Sequence, residues 1–200
     1  RDWSSDVCSS DLHGRLVSPN EVEVNGVRYQ GKNIVLATGS YPKTLPGLEI
    51  DGIQIITSEQ ALHMNRVPNS AIVLGGGVIG CEFASVWKSF GSEVTIIEAL
   101  PHLIALEDES SSKQLERAYR KRGINFELGT RFQSAQRHEG GVTVTLEDGK
   151  QFTAEVLLVA VGRGPVSSNI GYEEQGITMD RGYILVDEKC RRSEEHTSEL

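Results

Sequence analysis

Residues 71–98 read AIVLGGGVIGCEFASVWKSFGSEVTIIE, and this stretch decides the fold. The apolar run Ala71 to Leu74 predicts a strand that feeds a glycine turn. Gly91 ends the helix that follows, and Val94 to Ile97 predicts a second strand closed by Glu98. Gly75, Gly77 and Gly80 stand in the spacing Gly-x-Gly-x-x-Gly and divide three steric tasks: the tight turn, the close approach of a pyrophosphate to backbone, and the close packing of helix on strand. The unpaired amides at the start of the helix, together with the positive end of its dipole, favour phosphate. Strand, turn, helix, strand and acid in that order predict a dinucleotide site of the nicotinamide type. A flavin site or a degenerate Rossmann unit is the alternative.

Glu98 falls at the distance expected of a ribose-binding acid. Its carboxylate can accept both adenosine-ribose hydroxyls and would face the added phosphate of NADP. At about 5 Å and an effective dielectric of ~20, each such like-charge pair costs roughly 3 kcal/mol before screening. Ala99, Leu100, Pro101 and His102 follow without an arginine to clamp a phosphate. NAD is the expected nucleotide.

The 200 residues carry a formal net charge of −8 and a hydrophobic content of 38%, enough for one domain of ordinary size with a sizeable core. The acidic balance argues against a nucleic-acid partner. The basic cluster Arg117, Arg120, Lys121 and Arg122 does not reverse it, because it sits in the last turn of a helix expected from about Glu109 to Arg122 and ended by Gly123, where cations complement the dipole. No stretch approaches the ~20 apolar residues a membrane helix needs, and no N-terminal segment has the parts of an export signal. A soluble, cytoplasmic chain without a membrane partner is expected. Cys8, Cys81 and Cys190 have neither a metal spacing nor a disulfide framework. Cys81 begins a helix whose dipole could lower its pKa, against which stands the simpler reading of a small packing residue at a crowded turn. His63, His102 and His138 have no partner at ligand or triad spacing, so neither a metal site nor a catalytic histidine is expected.

The ends lack pattern. Residues 1–12, RDWSSDVCSSDL, repeat Ser-Ser-Asp without a helix or strand period, and 193–200, SEEHTSEL, are similar. Both read as translated sequencing-adapter sequence, or else as ordinary disordered tails, and are set aside from fold reasoning. Cys8 then belongs to no mechanism.

Between the ends, Val22 to Tyr29 alternates apolar and polar residues around Asn25-Gly26, a strong hairpin signal. Asn33 to Thr38 reads as an apolar strand ending in Ala37-Thr38-Gly39-Ser40, before the proline-punctuated loop Pro42 to Pro46. Thr57 with Gln60 is a capping-box pattern for a short helix through Leu62, and Asn65 to Asn69, with Pro68, reads as a linker. Beyond Gly123, strands are expected at about Asn125 to Leu128, Phe132 to Gln136, Val142 to Leu146 and Val156 to Val161. Gly140-Gly141 and Asp148-Gly149 mark turns, and a last strand is expected near Tyr183 to Val186. An antiparallel meander inserted beside a parallel sheet explains that order better than a plain βαβ repeat.

Three motifs now stand in order: Ala37-Thr38-Gly39-Ser40 with its Pro42 loop, Gly75 to Glu98, and Val159-Ala160-Val161-Gly162-Arg163 with Pro165. In that order and spacing the chain resembles the flavin- and NAD-dependent disulfide reductases over nearly all of residues 14–191. Gly80-Cys81-Glu82-Phe83-Ala84-Ser85-Val86-Trp87, Leu157-Leu158-Val159 and Asn169-Ile170-Gly171-Tyr172-Glu173-Glu174 look most like the dihydrolipoamide dehydrogenases among them. The resemblance implies an α/β fold made of a Rossmann-like NAD-binding domain over residues 70–188, its parallel sheet carrying the β-meander, plus the end of an FAD-binding domain with its linker over 13–65. It implies Thr38, Gly39 and Ser40 as a flavin-nucleotide contact, which are otherwise a plain strand-end turn. Gly75, Gly76, Gly77, Val78, Ile79, Gly80, Cys81, Glu82 and Glu98 would line NAD. Phe132 matches a position touching the adenine side through its backbone, or is ordinary core, and Gly162 matches one near the nicotinamide half. Glu82 also matches a glutamate that pairs with a lysine beside the flavin ring, a lysine absent from this chain. An early-helix glutamate suits the dipole in any case.

In such enzymes an electron pair passes from dihydrolipoamide, carried on a lipoyl domain, to a redox disulfide, through FAD, to NAD. A histidine and a glutamate from the partner subunit of a homodimer handle the protons, and the cofactors do the hydride chemistry. These 200 residues contain no Cys-x4-Cys pair, no first flavin Gly-x-Gly-x-x-Gly, no second flavin Gly-Asp segment and no C-terminal His-Glu dimer domain. The expectation is an internal piece that supplies the NAD site, holds no catalytic residue, and has no disulfide reductase activity alone. Reductases for mercuric ion or glutathione and a nicotinamide transhydrogenase share most of the motifs, and Glu98 weighs against the NADPH-dependent ones. A non-catalytic NADH-sensing module would keep Gly75 to Glu98 without needing Thr38 to Ser40 or Glu82. A structural or interaction domain on the same scaffold is a third class, since fold does not fix function.

Overall fold

The computed structural model describes residues 12–192, so the readings of residues 1–11, of 193–200 and of Cys8 lie outside the described residues. The chain divides into two compact units, one holding residues 12–41 and 164–192, the other 42–163.

The first unit opens with the antiparallel strands β1 (Gly14–Ser18), β2 (Glu21–Val24) and β3 (Val27–Gln30). Asn25 and Gly26 join β2 to β3 with φ of 50° and 78°, the left-handed pair that a two-residue hairpin turn requires. The chain then passes through β4 (Ser40–Pro42) into the second unit.

There it forms β5 (Ile55–Thr57), α1 (Ser58–Leu62), β6 (Ser70–Leu74), α2 (Val78–Ser89), β7 (Glu93–Glu98), α3 (Glu109–Arg122) and β8 (Asn125–Leu128). A meander of β9 (Phe132–His138), β10 (Gly141–Leu146) and β11 (Gln151–Ala154) follows, and then β12 (Val156–Val159). The return runs through β13 (Arg163–Pro165) to β14 (Met179–Asp180) and β15 (Tyr183–Ile184) in the first unit.

The second unit is built on a parallel sheet in the order β5-β12-β6-β7-β8. Alternate residues of a strand serve opposite faces. Ala71 and Val73 of β6, Val94 and Ile96 of β7 and Leu158 of β12 meet Cys81, Ala84 and Trp87 of α2 and Tyr119 of α3. Ile72, Leu74, Ile97, Leu157 and Val159 meet Val142, Val144, Leu146 and Ala154 of the meander. Helices thus cover one face and an antiparallel sheet the other, which is why these strands read as continuous apolar runs. Each buried Val, Leu or Ile among them contributes about 1.5–3 kcal/mol by leaving water.

The helix ends follow local chemistry. Thr57 and Gln60 make the expected capping box on α1, and Gly123 ends α3 in the left-handed region at φ 73°.

Five strand expectations change. Residues 33–38 are not assigned as a strand, because no strand among the described residues pairs with them. Their alternation survives: Ile34 and Leu36 turn toward Leu16, Tyr172 and Ile177, while Val35 is 86% exposed. Asn125–Leu128 extends the parallel sheet, and after the expected turn at Asp148-Gly149 the meander gains β11, where no strand is expected. The strand begun at Val156 ends at Val159, and the one begun at Tyr183 ends at Ile184. The chain also divides at residues 41/42 and 163/164 rather than at Asn65 to Asn69. The reason is β5, which pairs in parallel with β12 and draws the segment after Pro42 into the second unit.

Candidate functional site

In the parallel sheet β6 has β7 on one side, reached through α2, and β12 on the other, reached only after the meander. The carboxyl ends of β6 and β12 therefore bound a topological switch point, where open α/β sheets form their binding crevices. The glycine turn occupies this edge. A Cβ at Gly75, which has φ 110°, would stand 2.3 Å from the Ala160 carbonyl oxygen, and one at Gly80 only 2.0 Å from the Gly75 oxygen. At Gly76 it would meet Leu103 Cδ2 at 2.7 Å. Gly77 differs, being exposed with nothing within 4 Å of an added Cβ. The fold demands Gly75 and Gly80, whose added Cβ would strike backbone, and at Gly76 the neighbours are side chains; no protein atom near Gly77 would meet a side chain there.

Gly77 is also the N-cap of α2, without a side-chain cap, and the first turn of α2 has no acidic residue. Its first amides thus lack intrahelical acceptors and stand open to an anion. Exposed Val78, half-buried Ile79 and buried Cys81 complete that turn.

Glu98 ends β7 beside the turn. Its Oε2 accepts the Gly76 N–H at 2.5 Å and its Oε1 the Leu100 N–H at 2.8 Å. A carboxylate has about four lone-pair sites, so two bonds to backbone hold it in place and leave acceptor capacity for a pair of vicinal hydroxyls. The open backbone at Gly77 and the anchored acid together fit a dinucleotide's pyrophosphate and ribose.

The other expected residues separate. Glu82 is exposed and has no ion pair among the described residues. Phe132 turns its ring toward the core under the meander, opposite Leu146. The loop before it reaches the site by backbone alone, with Gly129 N–H on Leu100 O at 2.9 Å and Thr130 N–H on Glu98 O at 3.4 Å. Gly162, three residues past β12, has φ 110° and open space where a Cβ would go, and its oxygen accepts Lys43 N–H at 2.9 Å. Thr38, Gly39 and Ser40 belong to the first unit. There Thr38 Oγ1 donates to Val166 O at 2.5 Å, and Gly39, at φ 79°, accepts Val166 N–H at 3.1 Å.

Of two expectations about side chains, the packing role of Cys81 agrees with the structure and the unpartnered His102 needs correction. Burial pushes the Cys81 thiol up to about 11, against a lowering hydrogen bond with Tyr119 and with the charges of Glu98 and Glu82 adding to the rise. Its Sγ points at Gly76 O, 3.4 Å away. Buried and held in the thiol form, Cys81 is a packing residue. His102 does have a partner: its Nδ1 lies 3.4 Å from Oε1 of Glu116 on α3. Local spacing hid that pair, and the available signal was Ser112, Glu116 and Tyr119, whose helical spacing makes the buried stripe of α3. Among the described residues no cluster of His, Cys, Asp or Glu could hold a metal.

Residues 4–197 match the pyridine nucleotide-disulphide oxidoreductase family, and the chain belongs to it. This is a family of NAD(P)- and FAD-dependent oxidoreductases. The dihydrolipoamide dehydrogenase of Chaetomium thermophilum is 40% identical over 186 residues, covering 88% of this chain and 37% of the relative. The dihydrolipoyl dehydrogenase of Cupriavidus necator is 39% identical over 182 residues, covering 88% and 38%. The structure of the HOCl-induced flavoprotein disulfide reductase RclA from Escherichia coli superposes with a TM-score of 0.79 at 29% identity, covering 90% of this chain and 42% of that one. The chain thus spans well under half the length of the relatives it matches.

Proposed function

We propose that this chain supplies the NAD site of a dihydrolipoamide dehydrogenase, which in full reoxidises dihydrolipoamide on a lipoyl carrier domain as a cytoplasmic homodimer. The observation that carries the reading is Glu98, held by two backbone amides at the edge of a turn whose one sterically free glycine is Gly77. Gly75, Gly76 and Gly80 shape the turn. Gly77 admits the pyrophosphate to the amides of Val78 and Ile79, Cys81 packs beneath, and Glu98 takes the adenosine-ribose hydroxyls. The backbone before Phe132 flanks the adenine side, and Gly162 borders the nicotinamide half. Thr38, Gly39 and Ser40 contact FAD. NAD when bound supplies hydride acceptance; the residues named here bind and orient it.

The reading is tested by titrating the chain with NADH and with NADPH, following nicotinamide fluorescence. NADH is expected to bind about tenfold tighter or more, the ~3 kcal/mol like-charge cost being reduced by screening. Tighter NADPH binding overturns the assignment of Glu98. The likeness to RclA supports a second reading within the same class, a flavin reductase for another substrate of the mercuric, glutathione or transhydrogenase kind. A chain of the relatives' full length decides among these by FAD retention and by turnover of dihydrolipoamide. An NADH-sensing module would retain no FAD.

A further inference from the structure

Glu116 is a buried acid, 7% exposed, and none of the roles above uses it. Its Oε1 accepts the Leu103 N–H at 3.3 Å and lies 3.4 Å from His102 Nδ1, while Oε2 lies 3.6 Å from Arg120 Nη2. A buried carboxylate persists only when it is paired and hydrogen-bonded. These partners satisfy it, and they hold the backbone at Leu103.

From Leu103 the path to the glycine turn is one residue long. The Leu103 side chain is fully buried over Gly76, and the Ile104 N–H donates to Gly76 O at 2.7 Å. At its other end Gly76 donates to Glu98. Ile104 sits at φ 44°, in the left-handed region that β-branched residues avoid. Its oxygen accepts the Glu107 N–H at 2.9 Å and the Ser112 hydroxyl at 3.4 Å. A conformation of this kind is kept only where its surroundings over-determine it, and here they are Glu116, Ser112 and Gly76.

We propose that Glu116 is a positioning residue for the dinucleotide site. By holding Leu103 and Ile104 it locks Gly76 from the carbonyl side, so that the Gly76 amide and the Glu98 carboxylate are set before the nucleotide arrives. The role rests on the NAD reading of the turn.

The test uses the whole chain in three variants. Glu116→Gln keeps a carbonyl oxygen for the Leu103 N–H, Glu116→Leu removes it, and Glu116→Asp keeps the charge but withdraws the acceptor by one methylene. NADH affinity is read by fluorescence titration. Amide exchange at Leu103 and Ile104 is read without nucleotide, with Val144 in the meander as reference. Glu116→Leu and Glu116→Asp are expected to weaken NADH about tenfold, the loss of one buried hydrogen-bond partner. They are also expected to speed exchange at Leu103 and Ile104 while leaving Val144 unchanged. Glu116→Gln should stay within about threefold of the parent. Parent-like NADH affinity in the Leu and Asp variants overturns the role, as does a Gln variant as weak as Leu, or exchange that rises equally at Val144. If Glu116→Leu does not fold, Asp against Gln carries the comparison. A parent chain that takes up no NADH overturns the nucleotide reading and this role together, an outcome distinct from a parent that binds and variants that bind equally.

Discussion

A methyl group at Gly80 would stand 2.0 Å from a backbone oxygen, and one at Gly77 would touch nothing. Gly80→Ala is therefore expected to cost about 3 kcal/mol or more, since the clashing atom is backbone and cannot swing away. Gly77→Ala, at φ −72° and ψ −177°, keeps a backbone that alanine adopts freely. Its melting temperature should stay within about 3 °C of the parent, while NADH affinity falls about tenfold or more as the methyl obstructs the pyrophosphate. Calorimetry and titration of both variants check the pair, and equal effects on binding and stability at Gly77 would refute the division of labour. The cysteines make a second residue-scale prediction. With its pKa raised to about 11, Cys81 is about one part in a thousand thiolate at pH 8, and Cys190 is exposed. Iodoacetamide at that pH should modify Cys190 and leave Cys81 until denaturant is added, as peptide mass spectrometry would read. Prompt modification of Cys81 would restore the dipole-activated thiol.

Among the elements, the loop before β5 makes the clearest pH prediction. Asp51 Oδ1 accepts the amides of Ile53, Gln54 and Ile55 at 2.8–2.9 Å, and its Oδ2 binds Arg137 Nη1 of β9 at 2.9 Å. Burial pushes its pKa up, but those amides and the guanidinium outweigh it, leaving the folded value below the ordinary 3.8. A lowered folded pKa stabilises at pH values above the unfolded one, and the contribution is lost as pH falls through the folded value. Asp51→Asn should therefore be less stable than the parent at pH 7, with the gap narrowing below about pH 4. Denaturant titrations at pH 7, 4 and 3 measure it, and a constant gap would show that the charge plays no part. Helices were the most legible elements, because the Thr57–Gln60 box and the Gly123 stop are local chemistry. Strands were less so. Residues 33–38 have the period of a strand but no pairing strand among the described residues, and β11 is recognisable only through its pairing with β10.

For the molecule as a whole, lipoamide with NADH is expected to give NADH binding without turnover. The three cysteines stand at positions 8, 81 and 190, too far apart in sequence for a Cys-x4-Cys pair, and the Cys81 thiol is buried. Measurable turnover in a spectrophotometric assay of the chain would contradict this. The sequence by itself determined the strand–turn–helix–strand order, the helix limits, the hairpin turn at Asn25-Gly26 and the acid at Glu98. Each of these follows from the spacing of glycines, caps and apolar runs over a few residues. Only the tertiary structure decided that β5 leaves the preceding segment to edge the parallel sheet, that β8 joins that sheet, and that Glu116 reaches His102 and Leu103 beside the glycine turn. Those choices depend on which apolar faces and backbone bonds meet across long stretches of chain, and such meetings leave no periodic mark on the segments that make them.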